Sequence, residues 1–209
     1  MATRCRRARA VSGTVLMEKK VEFKFVLVDL YKGDQKQSEY MKKQPFGQVP
    51  YLDDDGFIVF ESRAICRYIC AKFPDQGTPL VPTEIKAKAL FEQACSIEYS
   101  NFDQFASNAV AEKVFKPMRG LTSNDELAAS LLSTLDKKLE GYEAILSKQK
   151  YLAGDEITLA DLFHLSYGSM LSMIGFNGLE SEEKPNVARW WKDITSRESW
   201  QAVKDGLNV

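Results

Sequence analysis

Between Gln48 and Ile65 the apolar residues change their spacing, and that change constrains the fold more than any other feature of the chain. Tyr51-Leu52 and Phe57-Ile58-Val59-Phe60 flank Asp53-Asp54-Asp55-Gly56. Two β-rich runs around a turn whose glycine can take positive φ predict a hairpin. After Phe60, the residues Ile65, Tyr68, Ile69 and Phe73 recur at helical spacing until Pro74 ends the run. Val49-Pro50 lies where the first strand begins, and a cis peptide bond costs little only before proline. A cis bond there turns the Val49 N–H and C=O outward, where an extended ligand backbone can pair with them. Ser62 opens the predicted helix, where unpaired N–H groups and the dipole favour an anion. Glu61 beside it can take an ammonium. The segment therefore predicts a grip on an extended peptide with a free amino group and a free carboxylate. Read singly, Ser62 is an ordinary N-cap and Pro50 an ordinary proline at the start of a strand.

Taken in order, Pro45 to Pro50, Phe60-Glu61-Ser62-Arg63-Ala64-Ile65 and Tyr68-Ile69 resemble the glutathione-binding half of cytosolic glutathione S-transferases, the phi class and its fungal relatives above all. Val28-Asp29-Leu30, Lys32-Gly33-Asp34-Gln35-Lys36, Tyr151 to Asp155 and Ile157 to Leu162 also fit, so the likeness spans nearly all 209 residues. It implies an α/β plus all-α fold, with a thioredoxin-like N-terminal domain followed by a helical-bundle C-terminal domain. It also implies a glutathione transferase that conjugates the thiolate of its co-substrate glutathione to small hydrophobic electrophiles, or reduces peroxides. By the same resemblance, Gln35 and Lys36 hold the glycine carboxylate of glutathione. Val49 pairs its backbone with the cysteinyl unit beside cis-Pro50. Gln48, Glu61 and Ser62 hold the γ-glutamyl end. Phi-class members often carry His where Gln35 stands. Phe102, Phe105 and Phe115 are candidate walls of an electrophile pocket, though core packing explains them equally well. The family pattern implies a cytoplasmic homodimer, with Arg63, Arg67 and the 96–101 region as candidate contacts. A non-catalytic glutathione or ligand carrier and a protein-interaction scaffold are the alternative functions.

Three prolines and a glycine between Pro74 and Pro82 read as a linker. The expected organisation is a glutathione-binding domain over 1–74, a linker over 75–83 and a helical substrate-binding domain over 84–209. Helices are expected from Glu84 to about Val114, Ser123 to Ser147, Leu159 to Ile174 and Val187 to Ser196, with a short one after Ser199. Thr158 and Asp161 form a variant of the capping box, which Ile157 and Leu162 can staple. As a cap alone, Asp161→Ala is expected to cost about 1 kcal/mol. With 44% apolar and 27% charged residues and a net charge of −1, the composition is that of an ordinary soluble chain and suggests no nucleic-acid role. No apolar run approaches the roughly 20 residues of a membrane span. Cys5, Cys66, Cys70 and Cys95 include no CxxC pair, and Cys66 and Cys70 read as packing residues, so no metal is expected. The single histidine, His164, falls in an apolar helix and reads as a core residue.

The front end departs from the family pattern. Family members begin with a strand, a glycine-containing turn and a catalytic hydroxyl. Here residues 1–7 resemble the turn into the first helix, and the opening strand has no counterpart. The position of the phi-class catalytic serine falls on Ala2 or on Arg6, depending on which end of the first helix anchors the comparison. Thr3 and Ser12 are the nearest hydroxyl candidates, and no motif places either one. The reading is of an incomplete or mis-spliced N-terminus that leaves Phe23–Val28 without a parallel neighbour. Residues 1–17 also hold Arg4, Arg6, Arg7 and Arg9 and no acid, which loosely resembles a mitochondrial presequence.

Overall fold

In the computed structural model, which describes residues 10–205, the predicted hairpin forms from β1 (Tyr51–Asp54) and β2 (Phe57–Phe60). The strands are antiparallel, with Tyr51 opposite Phe60 and Asp54 opposite Phe57. Asp55 and Gly56 both take positive φ, 51° and 92°. That turn backbone matches the twist of the strands it joins. Asp53 Oδ1 closes it by accepting from the Gly56 N–H at 2.9 Å.

Three helices surround the hairpin in sequence: α1 (Ala10–Glu18), α2 (Ser38–Lys43) and α3 (Ser62–Lys72). A 3₁₀ turn, Asp34–Lys36, precedes α2. The strand expected at Phe23–Val28 is a correction: among the described residues the sheet has two strands, β1 and β2. A strand exists through the ladder its N–H and C=O groups make with a neighbour, and among the described residues the only ladder joins β1 and β2. Val21 and Phe23 still pack against the core, while Val26 and Leu27 are exposed.

The second half is helical: α4 (Ile85–Glu98), α5 (Gln104–Val110), α6 (Asp125–Leu146), α7 (Leu159–Leu162), α8 (Leu165–Leu171), α9 (Pro185–Ser196) and α10 (Glu198–Val203). The side chains of Glu84 and Asn124 cap α4 and α6, accepting from Ala87 N at 2.8 Å and Leu127 N at 3.0 Å. Two π turns, Tyr99–Asp103 and Ala111–Phe115, interrupt the long helix expected from Glu84 to Val114.

The single helix expected from Leu159 to Ile174 is broken at Phe163-His164. The His164 ring supplies the physical reason. Its Nδ1 lies 2.9 Å from the Ala160 carbonyl, the acceptor that the His164 N–H would use in an α-helix. That N–H bonds Asp161 O instead, three residues back, at 3.2 Å. His164 is fully buried between Phe102, Tyr142 and Trp190, and its Nε2 lies 3.0 Å from the Tyr142 hydroxyl. Burial holds its pKa down at about 3, so it packs as a neutral ring.

Glu18 fastens the two halves together at the end of α1. Its carboxylate accepts from Arg197 Nε at 2.6 Å, Arg197 Nη2 at 2.8 Å, Thr78 Oγ1 at 2.6 Å and Ser199 Oγ at 2.5 Å. Gly77 makes this approach possible, since a Cβ there would lie 2.2 Å from the Glu18 carbonyl oxygen. The first helix is thereby pinned to the linker and to the start of α10, which sets one wall of the cleft described next.

Candidate active site

The approach to β1 is shaped by Gly47. Its φ is 58°, and a Cβ there would lie 2.7 Å from Lys36 Nζ and 2.9 Å from the Gln35 carbonyl oxygen. With no side chain at Gly47, Lys36 donates to Phe46 O at 3.1 Å, and the 3₁₀ turn carrying Gln35 and Lys36 closes against residues 46–47. Gln35 Oε1 is buried there without a partner. Tyr40 donates to Gln48 O at 2.7 Å, and Gln44 Oε1 accepts from Gln48 N at 3.1 Å. The Val49-Pro50 bond is cis. The N–H and C=O of Val49 make no hydrogen bond among the described residues.

At the far end of the hairpin, Glu61 takes a φ of 69° just before α3. A non-glycine residue in the left-handed region is strained, and such positions cluster at functional sites. Glu61 is the N-cap residue by position, yet its side chain caps nothing, and Ser62 is the first helical residue rather than the cap. Both side chains are without hydrogen-bond partners among the described residues. The carboxylate of Glu61 and the N-terminus of α3 thus offer opposite charges to two ends of one ligand.

Gln48, Val49, Pro50, Glu61 and Ser62 all line one cleft of about 200 Å³. Its other wall comes from the helical half, through Asp103, Ser107, Phe163, Ser166 and Tyr167, with Val11 and Gln44 completing the lining. Arg63 bridges the two walls. Its Nε donates to Glu98 Oε2 at 2.9 Å and its Nη2 to Glu98 Oε1 at 2.7 Å, while Asp103 Oδ1 lies 3.2 Å away. Burial alone would ease the proton off Arg63, but the two carboxylates more than offset it and keep the guanidinium charged. The π turn Tyr99–Asp103 ends on Asp103, placing that carboxylate at the cleft; such turns recur at functional sites.

Several expectations meet their positions in different ways. Gln35 and Lys36 sit beside Gly47 and do not line the cleft. Ser12 is buried on α1, where it accepts from the Cys66 thiol at 4.0 Å, and it is not part of the cleft lining. Thr3, Ala2 and Arg6 lie outside the described residues. Phe102, expected as a pocket wall, is a core residue at 1% exposure, its ring tilted against His164 with centroids 4.6 Å apart. Phe105 and Phe115 are packed against the same core and are absent from the cleft lining. The physical reason is that α5 and the π turns flanking it pack against α6, and α5 also against α8, so their aromatics fill the bundle. Arg63, expected at an intermolecular contact, directs its guanidinium to Glu98 and Asp103 of its own chain. Burial raises the thiols of Cys66 to about 12, Cys70 to about 11 and Cys95 to about 12, which makes them inert packing groups.

Two family models match the chain, the glutathione S-transferase N-terminal domain over residues 4–71 and the glutathione S-transferase C-terminal domain over residues 101–198. Glutathione S-transferase hmp2 of Hypomyces subiculosus is 48% identical over 188 residues, covering 88% of each chain. The chain belongs to the glutathione S-transferase family. Its fold is the glutathione S-transferase fold, a small thioredoxin-like N-terminal domain, with a two-stranded sheet among the described residues, followed by a helical C-terminal domain. The crystal structure of glutathione transferase F7 from Populus trichocarpa superposes with a TM-score of 0.90 at 36% identity, over 97% of this chain and 95% of that one. Glutathione S-transferase I from maize, solved in complex with an atrazine glutathione conjugate, superposes with a TM-score of 0.83 at 31% identity, over 93% and 90%.

Within this family frame, the residues that sequence reasoning missed are those of the helical wall. Asp103, Ser107, Phe163, Ser166 and Tyr167 belong to no motif by spacing. Ser166 carried one signal, a hydroxyl in the middle of an apolar helix. It is 4% exposed, and its Oγ is buried without a partner.

Proposed function

We propose that the protein conjugates the thiolate of glutathione to small hydrophobic electrophiles. The observation that carries the reading is the convergence on one cleft of three unsatisfied groups. These are the backbone of Val49 beside a cis proline, the carboxylate of Glu61 and the N-terminus of α3 at Ser62. An extended tripeptide with an ammonium and a carboxylate at one end satisfies all three together. In this reading Val49 pairs with the cysteinyl unit, and Glu61 takes the γ-glutamyl ammonium. Ser62 and Gln48 take the γ-glutamyl carboxylate, and Gln35 and Lys36 take the glycine carboxylate. The Lys36 ammonium beside Gly47 supports that last assignment, with the Gln35 Nε2 amide as the second donor.

A free thiol titrates near 8.5, so only a few per cent is thiolate at neutral pH. A hydrogen bond to the thiolate contributes about 1.5–3 kcal/mol, roughly one to two pKa units. The electrophile occupies the helical side of the cleft, beside Phe163 and Tyr167. The reading carries with it a domain division at 1–74, 75–83 and 84–209, a cytoplasmic homodimer and no metal. Among the described residues no helix is long and apolar enough to cross a membrane. Retention on immobilised glutathione, together with turnover of a chloronitrobenzene, is the expected outcome. A folded protein that passes through the column and turns over nothing overturns the proposal.

A further inference from the structure

The helical half contains a second cavity, of about 180 Å³, that shares no lining residue with the cleft. Trp191, Trp200 and Phe176 supply its aromatic lining, and Glu180 is its only charged residue among the described ones. Both indoles are nearly buried, at 5% and 2% exposure. A buried indole N–H normally finds a hydrogen-bond acceptor. Trp190 does so, donating to Asp161 Oδ1 at 3.0 Å. The indole N–H groups of Trp191 and Trp200 donate to nothing among the described residues, and neither nitrogen is a buried unpartnered atom, so each opens on accessible space.

Gly168 explains why the cavity keeps its shape. A Cβ at that position would lie 2.4 Å from Trp191 Cη2 and 2.8 Å from Cζ3. Only a glycine admits the six-membered ring of Trp191 against α8, so the ring packs on backbone and remains a wall beside the open space. The lining mixes these rings with Ser169, Ser172, Asn177 and Thr195, and a volume above the roughly 150 Å³ that holds benzene admits a compact ring system. We propose that this cavity is a second small-molecule site, which takes a compact aromatic that is neutral or cationic and bears a hydrogen-bond acceptor. Ring contacts come from the indoles and Phe176, and the acceptor satisfies an indole N–H. Glu180 disfavours anions.

The test is an ¹⁵N titration of the indole N–H signals with quinoline, with S-hexylglutathione saturating the cleft. The chain has three tryptophans, and Trp191→Phe and Trp200→Phe assign their signals. The Trp191 and Trp200 signals are expected to move saturably with one Kd while the Trp190 signal stays in place. Ser172, exposed and part of the lining, gives the filling variant. Ser172→Phe is expected to raise the Kd at least tenfold, with Ser172→Leu as a smaller intrusion should the first fail to fold. Quinaldate, the anionic relative of quinoline, is expected not to saturate. The proposal is overturned if the two signals do not move, if S-hexylglutathione displaces quinoline, or if folded filling variants bind as tightly as the parent. Equal binding of quinaldate overturns its charge selectivity.

Discussion

Replacing Asp161 with alanine should destabilise the protein far more than removing an ordinary helix cap. The carboxylate is fully buried and accepts four hydrogen bonds. Oδ1 takes Leu152 N at 3.0 Å and Trp190 Nε1 at 3.0 Å; Oδ2 takes Thr158 N at 2.9 Å and Thr158 Oγ1 at 3.0 Å. The group therefore joins the loop after α6, the start of α7 and the core of α9. Burial pushes its carboxyl above the usual range while the donated bonds pull the other way. Three of the four donors are N–H groups held by backbone or a packed ring, which cannot turn to another acceptor. Each stranded donor costs about 1–3 kcal/mol, so after partial relaxation Asp161→Ala should lose about 4 kcal/mol. For a chain of this size that lowers Tm by roughly 8–16 °C. Asp161→Asn should recover little, because its NH₂ faces two donors. Thr158→Ala removes one donor and should cost about 1 kcal/mol. Urea unfolding at neutral pH, followed by tryptophan fluorescence and far-UV circular dichroism, measures all three. If Asp161→Ala costs no more than Thr158→Ala, the buried network adds nothing to the cap and the reasoning fails.

Ser62→Ala and Glu61→Gln should each raise the KM for glutathione about tenfold, equivalent to about 1.4 kcal/mol of binding. Tm should stay nearly unchanged, because neither side chain makes a bond within the chain; an unaltered KM removes both from the site. Gly47→Ala should weaken glutathione retention and cost about 1–2 kcal/mol of stability, from a left-handed backbone that alanine disfavours and the contact with Lys36 and Gln35 O. Wild-type retention and Tm in that variant would refute the close approach. His164 supplies the pH dependence: its pKa is about 3 folded against an ordinary 6.5. The unfolded chain therefore binds the extra proton, and stability is lost as pH falls below 6.5. By linkage the loss is about 2 kcal/mol at pH 5. Glu18 acts lower on the scale. Burial would raise it, but Arg197, Ser199 and Thr78 hold it below its ordinary 4.5, so its contribution disappears only as pH falls through that depressed value. Burial also raises Glu98 to about 7, so Glu98 gains stability over the same range and offsets that loss in the parent. The His164 contribution is therefore read as the difference in pH 7-to-5 change of the urea midpoint between the parent and His164→Gln, and an identical change in both would contradict it.

Features that depend on a few neighbouring residues were legible in the chain itself. The Asp-Gly hairpin, the cis bond at Val49-Pro50, the start of α3 and the capping box at Thr158 each follow from local backbone preference or a hydrogen bond across three residues. The buried state of His164 followed from the apolar helix around it. Long-range placement decided the remainder. Nothing in the order of residues states that Asp161 also holds Leu152 and Trp190, or that His164 captures the Ala160 carbonyl and splits a helix. The same holds for the helical wall of the cleft. Whether an aromatic on α5 or on the π turn before it faces a ligand or the bundle depends on which neighbour covers it, so Phe102 went to the core. Periodicity assigns a face to each helix; only packing between distant segments determines what that face meets.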